Sequence, residues 1–502
     1  MRKVLTQLMT LLAILPACSL KEDTSALSTP GNYFRKYSEC QSALNSCYIP
    51  LKPIYDRPFM VAVECVTDIA TIPTNGTLDA RLDVSPSQPR FGSTMWTQGY
   101  LGVQRSNFAV AGIEKAHANG VLEDEDYNDL ICEAKTLRAF YYWHLTSFFG
   151  DVPFYTEEVR DNAVQDRIAA LPRMDAISTR DSLIADLLPA AAAASQIRTY
   201  ENKGYRMGAA AAWMIIAKLA MWNKRWDTAL EALKHLETIY GVLSDYDYKE
   251  NVQFRNKNTP ESIFEIQHEY VEGGMVYIAQ VAAICTPPKT ELDDGTVLYG
   301  GVSIPWLGKN ATTWLSMRPT YYFSGGLQSK FSSDIRKDIN LAWEYDGQPF
   351  ENVASKPYVG PKFWCPNMQL YQDYNNYKVF RFADALLMIA ECYSETGEPY
   401  KAIPYLNQVK NRAGLPDYEY RSDERLRQEI RDERARELFG EFQRKYDLVR
   451  WGIWYEATLS NNDYQTLLDT MKPCHRYYPI PDIEVVYSKY HLNNKEYEKY
   501  GL

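Results

Sequence analysis

At 502 residues the chain exceeds the ~250 to 300 at which a single hydrophobic core stops growing, so repeats or several packed units are expected. Its 54 Lys and Arg against 64 Asp and Glu leave a net charge of −10, which excludes the basic footprint that a nucleic-acid partner requires. Hydrophobic residues at 46% and charged residues at 24% exclude wholesale disorder and an all-membrane helical bundle, while 38 Tyr and 11 Trp favour half-wet binding surfaces.

The chain begins with Arg2 and Lys3, followed by a mostly apolar stretch from Val4 to Leu15, about half the length of a membrane-spanning helix. Leu15-Pro16-Ala17-Cys18 closes that stretch as a bacterial lipobox does. Residues 1–17 therefore read as a lipoprotein signal peptide and residues 18–36 as lipid anchor and tether, with Cys18 as the acylated residue. Each buried CH₂ contributes about 0.8 kcal/mol, so several acyl chains on one cysteine hold a protein stably on a membrane. Ser19-Leu20-Lys21-Glu22-Asp23 resembles the Lys-acidic-acidic signal that sends lipoproteins to the outer face of the outer membrane. The longest later apolar run, Gly208 to Ala217, stops at Lys218, well short of a span.

Downstream, the pattern predicts a helix over 37–47, then Pro50, Pro53 and Pro58, then a long loop over 66–92 containing Pro73, Asn75-Gly76, Pro86 and Pro89. Loops of that length in compact proteins are functional or disordered. Two long helices follow, 94–118 and 124–149, joined at Asn119-Gly120. A helix near 207–222 is apolar around most of its girth and must be sandwiched, and its partner over 226–240 carries Ala229, Leu230, Leu233 and Leu236 along one stripe. A second pair repeats the plan: Phe382, Ala385, Leu386 and Ile389 form one stripe ended by Gly397, and Ala402, Tyr405, Leu406 and Val409 form the next up to Gly414. Pro404 predicts a late start or a kink in that last helix.

Two helices per unit, small residues at the seams and a unit of about 34 residues match tetratricopeptide repeats. Between the helical halves, 262–270 predicts a strand in which Ile263, Glu265 and Gln267 alternate against Phe264, Ile266 and His268. The stretch 271–375 is rich in Gly, Pro, Asn and aromatics and has little helical periodicity. The expected fold is mainly α, a tetratricopeptide-like helical scaffold with repeats over 37–250 and 376–460 and a body running 37–502. It carries an irregular loop-rich insert over 251–375 with minor β structure.

The chemistry-bearing residues point away from catalysis. The cysteines other than Cys18 are scattered without a C-x-x-C pair and read as buried thiols, and Cys40 and Cys47 lie two helical turns apart, about 10 Å, too far for a disulfide. The six histidines are dispersed, and no H-E-x-x-H, G-x-S-x-G, P-loop or G-x-G-x-x-G after a strand is present, so neither metal nor cofactor is expected. Asp293-Asp294-Gly295 reads as a plain turn rather than a calcium loop. Arg434, Glu437, Glu441, Arg444, Asp447 and Arg450, at three- and four-residue spacings, read as a salt-bridge ladder that fixes helix register, with each acid kept ionised by an arginine. Trp96, in Trp96-x-x-x-Tyr100, is assigned to the core. Binding candidates are Asp79 and Arg81 on the 66–92 loop, a charged pair suited to bidentate bonds with sugar hydroxyls, and Trp306, Trp314 and Tyr299 in the insert, whose flat rings can stack on a pyranose.

Several motifs together resemble the SusD/RagB family of outer-membrane nutrient-binding lipoproteins. Glu133-Ala134-Lys135, Leu137-Arg138-Ala139-Phe140-Tyr141-Tyr142 and Phe149-Gly150-Asp151-Val152-Pro153 are similar to its helix signature. So are Phe380-Arg381-Phe382-Ala383-Asp384-Ala385-Leu386, Asn411-Arg412-Ala413-Gly414-Leu415, Arg450-Trp451-Gly452 and Tyr478-Pro479-Ile480-Pro481. The sequence departs where Phe442 and Lys445 stand in place of the usual glycine and tryptophan around Arg444, and where the customary C-terminal close is missing. The resemblance implies a non-enzymatic, cofactor-free surface lipoprotein, lipid-anchored in the outer membrane. It would bind oligosaccharide or polysaccharide and deliver it to a SusC-like TonB-dependent transporter. The RagB branch implies the alternative, capture of oligopeptides for the same kind of transporter.

Overall fold

The computed structural model describes residues 33–73, 78–269, 279–313 and 317–502. Cys18 and Trp314 lie outside them. The first long hairpin joins Phe91–Ala118 to Asp124–Phe149 through Gly120, whose φ of +69° suits the reversal. Asp124, Glu125 and Asp126 occupy the first turn of the second helix, where the positive end of the macrodipole favours them. Close approach needs the small residues here, because a Cβ on Gly102 would collide with the Tyr141 ring and one on Gly112 with Phe34. Tyr37–Tyr48 packs across the pair, and Cys40 and Cys47 are buried free thiols, as are the other six described cysteines.

A helix that the sequence pattern did not predict, Ala176–Ala193, comes next, capped by the Asp175 side chain on the Ser178 N–H at 2.8 Å. It packs against both Asp124–Phe149 and Ala209–Trp222, which also touch each other. Ala209–Trp222 is buried from Ala209 to Met221, as its all-round apolarity demands, and packs against Trp226–Tyr240. Trp226–Tyr240 then packs directly on Phe382–Glu395, and the Tyr240 and Phe382 rings stack at 5.3 Å. The insert therefore leaves the stack after one repeat and re-enters at the next without separating them. Pro399–Arg412 and Asp423–Glu437 complete the array. Pro404 neither delays nor ends its helix, which starts five residues earlier with Pro399 in its first turn. The carbonyl left without a donor belongs to Tyr400, an exposed residue in the first turn. The fold is mainly α and tetratricopeptide-like.

The neck of the insert is an antiparallel pair, Ser262–Ile266 with Tyr377–Arg381, in which Ile266 faces Tyr377 and Ser262 faces Arg381. Every residue of both strands is buried, so the alternation expected to separate a wet face from a dry one does not do so. Glu265 tolerates this because Lys378 bonds it at 2.6 Å and Asn376 at 2.9 Å.

Glu437 ends its helix and Glu441 lies in the turn beyond it, followed by Arg444–Arg450, so the expected register-fixing ladder is instead a tertiary network. Arg381 donates to Glu261 at 2.8 Å, Glu437 at 3.0 Å and Glu441 at 2.8 Å, and Arg412 bridges Glu261 and Glu437 from the other side. Arg434 ties Asp384 to Asp447, Lys218 joins Asp384 at 2.7 Å, and Arg444 reaches Asp68 at 2.6 Å. Burial alone would raise the Glu437 carboxyl, but Arg412, Arg381 and Arg336 outweigh it and hold its pKa at about 2. Glu433 is held at about 2 in the same way by Arg336 and Arg436. Neither can act as a general acid.

Candidate binding face

The insert has its own small core of Tyr299, Val302, Ile304, Leu307, Phe350, Tyr358, Trp364 and Met368. Trp364 is its centre, with the indole N–H shared between the carbonyls of Cys285 and Val359. Short antiparallel pairs, Lys289–Glu291 with Val297–Tyr299 and Leu341–Ala342 with Tyr358–Val359, wrap it. The Asp293-Asp294-Gly295 segment is the tip of the first hairpin, with the Thr296 N–H donating to Asp294 at 2.9 Å. Among the described residues no cluster of three His, Cys, Asp or Glu could hold a metal.

The two loop-rich segments singled out in the sequence meet at one place. Ala70 pairs with Pro319 and Thr71 with Arg318, and the Thr320 N–H continues the pairing to the Ile69 carbonyl at 2.9 Å. Asn462 locks the first strand from behind by donating to the carbonyls of Thr67 and Ala70. Tyr321 emerges from this junction 53% exposed. Its backbone N–H donates to Asp463 at 2.8 Å, and Lys356, itself bonded to Asp463 at 2.6 Å, lies 4.9 Å from its ring centroid. The ring is thus positioned by an ion pair while remaining wet, which suits stacking on a ligand's apolar face at low entropic cost. Beyond it, the π-helix Tyr322–Leu327 carries the exposed Gly325 and Gly326, leaving open space on that side.

The other candidates are distributed differently. Tyr299 is fully buried, its hydroxyl donating to the Gly308 carbonyl at 2.9 Å, so its ring is insert core and not a platform. Trp306 is half-buried between Arg255 and Trp364, and its indole N–H donates to Tyr345. Asp79 and Arg81 do not act as a pair. Asp79 accepts from the Tyr478 hydroxyl at 3.0 Å and the Phe91 N–H at 3.3 Å, fixing the start of a long helix, and burial pushes its pKa up to about 6. Arg81 reaches Asp83 at 3.3 Å instead. Trp96 is core, 5% exposed and edge-on to Phe149. The sequence pattern passes over Trp343, which is 38% exposed, and marks Tyr321 only as one of the insert's many aromatics.

Comparison with known proteins then decides the family. A family model described as "SusD family" matches residues 346–499, and one described as "Starch-binding associating with outer membrane" matches residues 68–221. The chain belongs to the SusD/RagB-like family. SusD-like protein P25 of Formosa agariphila is 25% identical, the match covering 92% of each chain, and SusD-like protein P2 of that organism is 24% identical over 91% of this chain and 92% of its own. A SusD homolog from Bacteroides thetaiotaomicron has the same fold, with a TM-score of 0.76, 19% identity and coverage of 93% of this chain and 99% of that one. So does surface glycan-binding protein A from Bacteroides thetaiotaomicron in complex with laminarihexaose, at 0.70 and 20% identity over 91% of this chain and 98% of that one.

Within this SusD/RagB-like chain the two departures near Arg444 have structural consequences. Phe442 adopts φ +61°, a conformation glycine takes freely but which costs other residues about 1 to 2 kcal/mol, and its ring packs at 5.5 Å on Phe59 and 5.3 Å on Tyr55. Lys445 is buried with its ammonium near the Trp454 and Tyr478 rings, and desolvation lowers its pKa to about 7.

Proposed function

We propose that this SusD/RagB-like chain binds oligosaccharide at the Tyr321 face, without turning it over, and delivers it to a SusC-like TonB-dependent transporter. The observation that carries this reading is the pairing of Ala70 and Thr71 with Pro319 and Arg318, which converts two separate loop-rich segments into one face with a wet, positioned ring. Relatives named as glycan-binding and the starch-binding family description support the ligand class. Asp463, the carboxylate beside Tyr321, is committed to Lys356 and to the Tyr321 N–H. Lipid attachment at Cys18 would hold the chain at the outer membrane, and among the described residues no helix is long and apolar enough to cross one.

Titration of the full detergent-solubilised chain with laminarihexaose and maltoheptaose tests the ligand and the face together. Tyr321→Ala is expected to weaken the better ligand about two- to tenfold, the share of one stacked ring. Unchanged affinity would place the face elsewhere, and binding of peptide pools in place of either glycan would favour the RagB-like reading. Cys18→Ala is expected to move the protein from the membrane fraction to the soluble one with an unaltered melting temperature, and retention in the membrane would refute the anchor.

A further inference from the structure

Away from the Tyr321 face, the start of the Phe91–Ala118 helix, the loop after Phe149, and the helices Asn162–Ala169 and Asp482–Tyr487 enclose an open groove of about 610 Å³. Small-molecule sites span about 300 to 1,000 Å³, so the groove is of ligand size. One wall is aromatic. The Tyr100 and Tyr155 rings lie 6° from parallel with centroids 6.4 Å apart, the buried Trp96 ring backs the wall from the core 4.9 Å from Tyr100, and Tyr487 stands on the rim 67% exposed.

Polar groups flank these rings and are not consumed by the fold. The side-chain amides of Gln104 and Gln165 and the hydroxyl of Tyr155 have no partner among the described residues, and Glu484 lines the same groove as Trp96. Among the described residues Glu484 is the one charged side chain lining the groove. A pyranose offers an apolar C–H face and a rim of hydroxyls that both donate and accept. Aromatic faces beside amides and a phenol match both parts, and the scarcity of charge matches a neutral sugar rather than a uronate or sulfate. An extended peptide is matched poorly, because the lining comes from helices and the loops that follow them and includes no strand edge for backbone pairing among the described residues.

We infer that this groove is a second saccharide subsite that takes a neutral pyranose unit, an inference that borrows its ligand class from the function proposed above but none of its residues. The chain would then hold a glycan at two places, so that polymers engaging both gain avidity over short oligomers.

Crystals of the full chain soaked in laminarihexaose, maltoheptaose, glucose, galactose or mannose, together with solution titrations of wild type, Tyr321→Ala and the double variant Gln165→Ala/Tyr487→Ala, test it. Both positions of the double variant are exposed, so its fold is expected to be retained, with melting temperature as the check. Sugar density in the groove, with a two- to tenfold loss of one binding step in the double variant and retention of that step in Tyr321→Ala, is the expected result. Density at the Tyr321 face alone, or groove density without any change in the double variant's solution binding, overturns the subsite and leaves the proposed function standing. Loss of binding in the double variant but not in Tyr321→Ala would support the groove and remove the first face. Absence of sugar from both places overturns both, as does a groove filled only by polypeptide.

Discussion

In Ala209–Trp222 the one charged residue, Lys218, is buried and answered by Asp384 on a helix 166 residues away, whereas in the insert the aromatic Trp364 sits centrally and is answered by two carbonyls. The scaffold stacks long amphipathic helices and pins them with buried ion pairs. The insert, built from strands two or three residues long, gathers rings around one indole. A buried charge is costly unless its partner is fixed in place, and the helical array, with the neck strands and the 334–336 turn that border it, supplies such fixed partners. The insert uses ring packing, which tolerates irregular backbone and leaves some rings, Tyr321 and Trp343 among them, at the surface. The difference teaches that the scaffold is ordered by fixed charge pairs and the insert core by packed rings.

The comparison breaks most visibly at Arg381. Arg381→Met takes one cation from each of Glu261, Glu437 and Glu441, leaving Arg412, Arg336 and Lys362 to hold the three buried carboxylates, and is expected to cost about 3 to 5 kcal/mol, read by chemical denaturation of the whole chain. A loss below about 1 kcal/mol would mean that the network orders the scaffold without stabilising it. Trp364→Ala carries a similar local cost, about 3 to 5 kcal/mol, but hydrogen exchange is expected to rise in 341–368 while the scaffold amides stay protected. Equal deprotection of both regions would show that the insert is not a separate cooperative unit.

Acid sharpens the contrast with a smaller, graded effect. Burial lowers His144, His268 and His475 to about 3 from 6.5, so the unfolded chain binds protons that the folded chain refuses, and their contribution to stability falls as pH drops from 6.5 toward 3. Glu433 and Glu437 add a loss between 4.5 and about 2, where the unfolded carboxyls protonate first. Glu64, Asp373 and Asp79 oppose them, since burial raises them to about 8, 7 and 6 and their folded forms hold protons that the unfolded forms take up only near 4.5 or 3.8. Each group contributes at most about 1.4 kcal/mol per pH unit, so three histidines against three raised carboxyls leave the melting temperature nearly level from about pH 6 to 4.5, and it falls below 4.5, where Glu433 and Glu437 join the histidines. A melting temperature that falls steeply between pH 6 and 4.5, or that stays level below 4, would contradict this balance. The smallest expected effect is at the face itself: Tyr321→Ala is expected to change stability by no more than about 0.5 kcal/mol, in contrast to its effect on affinity.

The helical repeats were legible because their signal is local: the stripe of 226–240 and the all-round apolarity of 209–222 follow from spacing alone. Ala176–Ala193 was missed because it lacks a sharp apolar stripe and carries Pro189 within it. The insert resisted reading for a different reason. Tyr299 and Tyr321 look equivalent as residues among glycines and prolines, yet one is fully buried and the other half-exposed, depending on which distant strand each segment meets.

By itself, the sequence determined the periodic elements, the tetratricopeptide-like plan, the lipobox reading at Cys18 and the family motifs, since each is written in neighbours a few positions apart. Tertiary structure alone decided the partners of Glu437 and Glu441, the separation of Asp79 from Arg81 and the exposure of Tyr321. Those facts depend on contacts between residues as far apart as Thr71 and Arg318, or Asp79 and Tyr478. Spacing along a chain carries no information about such pairs until packing of the apolar surfaces brings them together.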